Sequence, residues 1–280
     1  MSKLRAAGSK LWIFSVWALT LFFVVNLIGI IAAVITSSFG TRWLRAWFPA
    51  GFTPHWYISA WDEFQLGNIL ATTFEVVGAV VFLCALIGVP AAYAMARRDF
   101  AGKRAFMLLF LLPLLVPSVT FGIPLATVLY KFGLGGTIWG VIAANLVPTV
   151  PFVILIMIPF IEQIDPRMEA AARVFGAGTV RMFLHVMLPL LAPGILAALL
   201  LVLVRTLGMF ELSFLTAGPT SQTLVVALYY GVFAAGVRPV QSIDAMAVIY
   251  MVTSLVWLLV ALQFVNPTQI VARSKRSAGP

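Results

Sequence analysis

The sequence predicts an all-α polytopic membrane protein with six membrane-spanning helices, on three observations. Of its 280 residues 62% are hydrophobic and 10% are charged, with a mean hydropathy of +1.07, whereas a soluble domain carries about 25% charged residues. The apolar residues gather into runs long enough to cross a hydrocarbon core of about 30 Å, which takes roughly 20 residues of helix. The basic residues gather between those runs, as orientation signals do.

The first run, about 11–36, follows Lys3, Arg5 and Lys10. It is longer than the roughly 7–15-residue core of a signal peptide and has no small-residue cleavage site, so it reads as a retained helix. The loop 37–68 carries Trp43, Trp47, Trp56 and Trp61. These fit an interfacial aromatic belt, and a docking surface for a soluble protein is the alternative. The second span is predicted over 69–95, the third over 105–130 and the fourth over 137–160. Pro113, Pro117 and Pro124 punctuate the third, and Pro148, Pro151 and Pro159 the fourth. Each removes a backbone donor and kinks its helix. Gly140/Ala144 and Gly194/Ala198 have the small-xxx-small spacing that permits close helix contact. The fifth and sixth spans are predicted over 190–211 and 243–264. The run Leu224 to Ala235 is only about half a span long and suits a re-entrant or interfacial half-helix.

With the N-terminus in the cytosol, the inside segments hold all of the 18 Lys and Arg except Arg42, Arg45, Lys131, Arg205 and Arg238. A seventh crossing at 224–235 would put Arg273, Lys275 and Arg276 outside. Charge parity therefore favours six spans with both termini cytosolic. The formal charge of +9 is explained by these flanking bases and by anionic lipid, without nucleic acid. Cys84 is the only cysteine, which excludes an internal disulfide and a cysteine-based metal site. Two histidines, His55 and His185, are too few for a zinc site. The sequence contains neither a Gly-x-x-x-x-Gly-Lys-Ser/Thr phosphate loop nor Gly-x-Ser-x-Gly, so no catalysis is expected on this chain.

The longest polar interruption, Asp165 to Pro193, reads as a cytosolic knuckle of two short helices joined at Gly176-Ala177-Gly178. Asp165 can cap a helix that starts with Pro166. Met168, Ala171, Ala172 and Phe175 recur at i, i+3, i+4 and i+7 and form a narrow apolar stripe, with Arg167, Glu169 and Arg173 off it. Gly176 can end the helix in a left-handed conformation. Thr179 can cap the next short helix, Val180 to Met187, before Leu188-Pro189 opens the fifth span. Such a ridge suits a partner's groove.

This stretch resembles the EAA loop of binding-protein-dependent ABC importer permeases (type I). The family signature is Glu-Ala-Ala, three residues, Gly, nine residues, Ile-x-Leu-Pro. Anchored on Gly176, it places the alanines on Ala171 and Ala172 and the last four positions on Val186-Met187-Leu188-Pro189. The signature glutamate falls on Ala170, and Glu169 lies one position earlier. The resemblance covers 69–264 and is nearest to the spermidine/putrescine and ferric iron group, which Phe210 to Leu224 also resembles; opine permeases are of the same type. It implies a MetI-like core of five helices in 69–264 with a coupling loop at 161–189, an added outer helix and periplasmic loop in 1–68, and a cytosolic tail, 265–280. It implies a bacterial inner-membrane location and partners: two ATP-binding cassette subunits that hold ATP and Mg, a second and different permease, and a periplasmic solute-binding protein. The residues that would couple to the ATPase are Met168, Glu169, Ala171, Ala172, Arg173, Phe175, Gly176, Ala177, Leu188 and Pro189.

Polar groups at membrane depth are functional candidates by default. Here they are Glu75 in the outer part of the second span, Asn145 within the fourth, Arg205 and Glu211 in the outer half of the fifth, and Asp244 at the outer start of the sixth. Tyr229 is a stacking candidate. Three carboxylates against one arginine suggest a small cationic cargo such as a polyamine. An ion-gradient-driven secondary transporter is the competing reading. It would show an inverted repeat with paired broken helices, which the sequence lacks.

Overall fold

The structure is a computed structural model that describes residues 2–43, 48–233 and 239–264, with residues 2–11 and 264 described by their backbone alone. Arg45, Trp47, Arg238 and the tail 265–280, with Arg273, Lys275 and Arg276, lie outside the described residues. The helices are α1 Ser2–Phe39, α2 His55–Glu63, α3 Leu66–Arg97, α4 Lys103–Leu115, α5 Ser118–Lys131 and α6 Ile138–Glu162. There follow α7 Pro166–Val174, α8 Thr179–Met182, a π-helical turn Phe183–Met187, α9 Leu188–Leu207, α10 Phe210–Thr216, α11 Leu224–Phe233 and α12 Val240–Phe264. Among the described residues, five apolar helical segments are long enough to cross a membrane, and six if α4 and α5 count as one broken span.

That break corrects the predicted third span. Instead of one kinked helix over 105–130, α4 and α5 meet at 102°. The bend falls at Val116-Pro117. Val116 is extended at φ −83°, ψ 134°, as the residue before a proline prefers, and Pro117 cannot donate to the turn before it. Pro113 and Pro124 lie within helices that continue past them, and so do Pro148, Pro151 and Pro159 in α6.

The chain forms two compact units. The larger, 66–229 with 252–280, is built on α3, α6 and α9. Val76, Val80, Cys84, Val89 and Ala92 line one face of α3 against Val153, Ile154, Met157 and Ile161 of α6, and Leu191, Ile195, Ala198 and Val202 of α9 join them. Small residues set the helix spacing. A Cβ on Gly88 would come within 2.9 Å of Val153, and one on Gly194 within 2.9 Å of Phe160. The predicted half-helix is present as α11, and its first N–H, on Leu224, donates to the Thr73 hydroxyl of α3 at 2.9 Å.

In the smaller unit, 1–65 with 230–251, a hairpin pairs Gly40 with Phe52. The Trp56 indole donates to the Gly40 carbonyl at 2.8 Å, while Trp43 and Trp61 are exposed, in keeping with interfacial residues. The Ser38 and Tyr57 hydroxyls meet at 2.8 Å, and Ser242 donates to Glu63 at 3.1 Å. Side chains of α1 from Trp12 to Ile31 are almost all exposed, as suits a helix that faces lipid or another subunit.

Gly88→Val is expected to lower the midpoint of heat unfolding in detergent, by an overpacking cost of about 1–3 kcal/mol. Gly78→Val on the same helix meets open space and carries only the propensity cost that both share. Equal shifts for the two variants would contradict the close α3–α6 contact.

Candidate functional site: a knuckle tied to the second span

Asp165 caps α7 as expected, its carboxylate accepting from the Arg167 N–H at 2.9 Å, and Pro166 is the first helical residue. The other end is a Schellman motif. Gly176 adopts φ +81°, its N–H donates to the Arg173 carbonyl at 2.9 Å, and the Ala177 N–H reaches back to Ala172 at 3.1 Å. The expected cap at Thr179 is not formed. Thr179 is already helical, and extended Gly178, without a side chain, holds the capping position.

The second knuckle helix is not separate from the fifth span. Thr179 to Leu207 run as one 29-residue apolar helix. The Leu188 N–H bonds to the Phe183 carbonyl, five residues back, which is the π-helical register. Pro189, without an N–H, absorbs the return to the α register. The π turn also brings Met182 and Met187, five residues apart, onto the core side, where both are fully buried. Leu188 and Pro189 are thus exposed residues inside a continuous rod.

The ridge faces outward. Phe175 is 90% exposed, and Met168, Ala171 and Val174 are exposed with it. Ala172 and Ala177 instead pack against the main core, which takes Ala172 off the outward stripe. Arg173 is exposed.

Glu169, off the apolar stripe and named by the resemblance among the ATPase-coupling residues, is only 7% exposed and points inward. Its carboxylate accepts from Arg97 Nε at 2.6 Å and from the Tyr93 hydroxyl at 2.5 Å, while Arg97 Nη2 donates to the Ile164 carbonyl at 2.6 Å. One arginine therefore holds both the chain that leads into α7 and the middle of α7. Sequence reasoning assigned Arg97 only to the orientation charge and passed over Tyr93. Their i, i+4 spacing at the end of a span, which puts two donors on one face, was the available signal.

Each membrane-depth candidate has its own surroundings within its unit. Glu75 is exposed on α3. Asp244 accepts from the Ser37 hydroxyl at 2.5 Å, which ties α12 to α1. Tyr229 is packed into an aromatic group, with ring centroids 4.7 Å from Phe210 and 5.2 Å from Phe214. Asn145 is fully buried; its amide donates to Val141 and to Ser213 of α10, and its Oδ1 has no partner.

The predicted span 190–211 divides. α9 stops at Leu207, and Glu211 belongs to the separate helix α10. Arg205 lies in the last turn of α9. Its guanidinium carbon lies 5.2 Å from the Phe152 ring centroid, and Phe152 is two residues, about 3 Å of rise, from the middle of α6.

Residues 86–269 match the family described as "Binding-protein-dependent transport system inner membrane component". The diacetylchitobiose uptake system permease of Streptomyces coelicolor is 31% identical over 168 residues, covering 59% of this chain and 56% of the relative. The molybdenum transport system permease of Haemophilus influenzae is 36% identical over 155 residues, 49% of this chain and 67% of the relative. The chain spans a little over half the length of the first curated relatives it matches. In fold it is similar to a crystal structure of a bacterial ABC transporter involved in the import of the acidic polysaccharide alginate. That match has a TM-score of 0.74 at 17% identity and covers 91% of this chain and 97% of the other.

Removing one member of a buried ion pair costs about 3–5 kcal/mol because the other charge is left uncompensated. The Arg97 and Glu169 side chains are 13% and 9% exposed, so either Arg97→Ala or Glu169→Ala is expected to speed amide hydrogen exchange across 166–177 and leave α6 protected. Unchanged exchange in both variants would mean that the pair does not hold the knuckle.

Proposed function

The chain belongs to the family of binding-protein-dependent transport system inner membrane components, and on that footing we propose that it is the permease subunit of an ATP-driven ABC importer. In this reading both termini and the knuckle face the cytosol. ATP and Mg are held by two copies of a separate ATPase, a second and different permease completes the pathway, and a periplasmic binding protein delivers the cargo.

The observation that carries the proposal is the outward apolar ridge of Met168, Ala171 and Phe175 on a knuckle anchored inward. Apolar side chains exposed on a capped, anchored helix fit a groove on a partner. Motion of that partner passes to α9 through the continuous helix from Thr179 and to α3 through Arg97. Two permeases then alternate between inward-open and outward-open states. The shift is driven by the difference in how the ATPase dimer engages the two states.

The relatives reported above are named for an oligosaccharide and for molybdenum, and those names support a small sugar or an oxyanion as cargo in place of a polyamine or iron. The carboxylates that suggested a cation give it little support. Asp244 is engaged by Ser37, and Glu75 is exposed on α3.

Burying a phenylalanine is worth about 1.5–3 kcal/mol, so Phe175→Asp is expected to weaken ATPase capture in a detergent pull-down by about tenfold to a hundredfold. Uptake into proteoliposomes should need both the ATPase and ATP. Uptake by this chain alone under an ion gradient would establish the secondary-transporter reading instead.

A further inference from the structure

Among the described residues Arg205 takes part in no ion pair. It continues the core-facing stripe of α9 after Leu191, Ile195, Ala198 and Val202, at intervals of three and four residues. Apolar side chains fill that stripe up to Val202, and a guanidinium follows. Arginine does not deprotonate in proteins, so the charge persists at that depth. Its Nε is buried and has no acceptor. All nine acidic side chains of the chain lie among the described residues. Among the described residues only Glu169 and Asp99 pair with a base, Arg97 and Lys103.

Among the described residues the Arg205 charge lies over the face of Phe152, which attracts a cation without supplying a hydrogen-bond acceptor. The residue is half-buried. The depth follows from the same contact. α6 has 25 residues, about 37 Å of helix, and Arg205 meets it near the middle. A charge there is costly and marks a pathway residue. Two residues later α9 ends, and the chain turns through Gly208 and Met209 into α10.

We propose that Arg205 is a cargo-contact residue that selects for negative charge, so that the importer carries a solute bearing an oxyanion or a carboxylate. This rests on the permease reading above and deepens it to a substrate class. The planar fork of arginine matches both groups through paired hydrogen bonds. The Phe152 ring fixes the plane of that fork, so the site is oriented before cargo arrives.

The test is arginine-selective modification by phenylglyoxal on the assembled complex in nanodiscs, with the Arg205 peptide followed by mass spectrometry and exposed Arg98 as the internal reference. Sulfate probes for an oxyanion site and glucuronate for a carboxylate site, each against sodium chloride at equal ionic strength. Maltose and putrescine serve as neutral and cationic probes. One of the two anions is expected to slow modification of Arg205 by about tenfold or more, as occupancy of the fork by a charge-assisted pair requires. Maltose and putrescine should leave the rate unchanged.

An Arg205 that is modified at one rate under every probe overturns the proposal, and so does protection by maltose or putrescine equal to that of the anions. An Arg205 that never reacts also overturns it, because the fork is then sealed or paired with a carboxylate of the second permease. The readout needs no ATP turnover, so it can fail while ATP-dependent uptake succeeds, or succeed while uptake proves independent of the ATPase.

Discussion

The ion pair between Arg97 and Glu169 is the constraint on which the rest of the structure depends. It joins the end of α3 to the middle of α7, 72 residues later in the chain. The second Arg97 bond, to the Ile164 carbonyl, fixes the chain just before α7 begins. A buried pair contributes little net stability compared with a well-packed apolar replacement. Its value here is geometric. Two charge-assisted bonds from one planar group leave α7 a single azimuth, the one that points Phe175 and Met168 outward. An apolar contact at the same place would resist separation but not rotation.

The knuckle is held at its far end by a different kind of force. Met182 and Met187 are buried in the main core, and the π turn exists because only that register puts both on one side. The knuckle is thus clamped by ionic geometry at one end and by packing at the other, with the Schellman turn at Gly176 between them. Strain from a load on the ridge has few soft places to collect. On the proposed reading this stiffness lets a small displacement of the ATPase reach α3 and α9 together.

Much of this was legible in the sequence. The long apolar runs gave the spans and the half-helix. Asp165-Pro166 and Gly176 gave the ends of α7, because capping chemistry is local and only a few residue types satisfy it. What failed depends on the third dimension. Glu169 was read only as a polar residue off the apolar stripe, because helical periodicity separates apolar from polar but does not name a buried partner for a carboxylate. At this knuckle the usual rule is inverted, with the apolar stripe outside and a carboxylate inside. The bend at Pro117 was read as a kink because six prolines in two spans look alike in sequence. Only Pro117 coincides with an end of its helix, and that depends on where α5 can pack, against α10 and α6.

The same reasoning explains why the predicted fifth span divides at Gly208. Non-helical backbone at membrane depth survives only where protein satisfies its polar groups. The segment after α9 meets that condition within the described residues. The Gly136 N–H donates to the Thr216 carbonyl at 2.9 Å, and the Ser221 hydroxyl donates to the Gly136 carbonyl at 3.0 Å. Ser213 takes the Asn145 amide, and Thr73 takes the first N–H of α11. Each donor or acceptor is a small hydroxyl, amide or backbone group on a neighbouring element, scattered over more than 150 residues of chain. No local pattern announces such a set, which is why a hydropathy reading carries the helix through to Glu211. Once α10 is satisfied this way, α9 can stop at Leu207, and the charged Arg205 near its end lies over the Phe152 ring of α6.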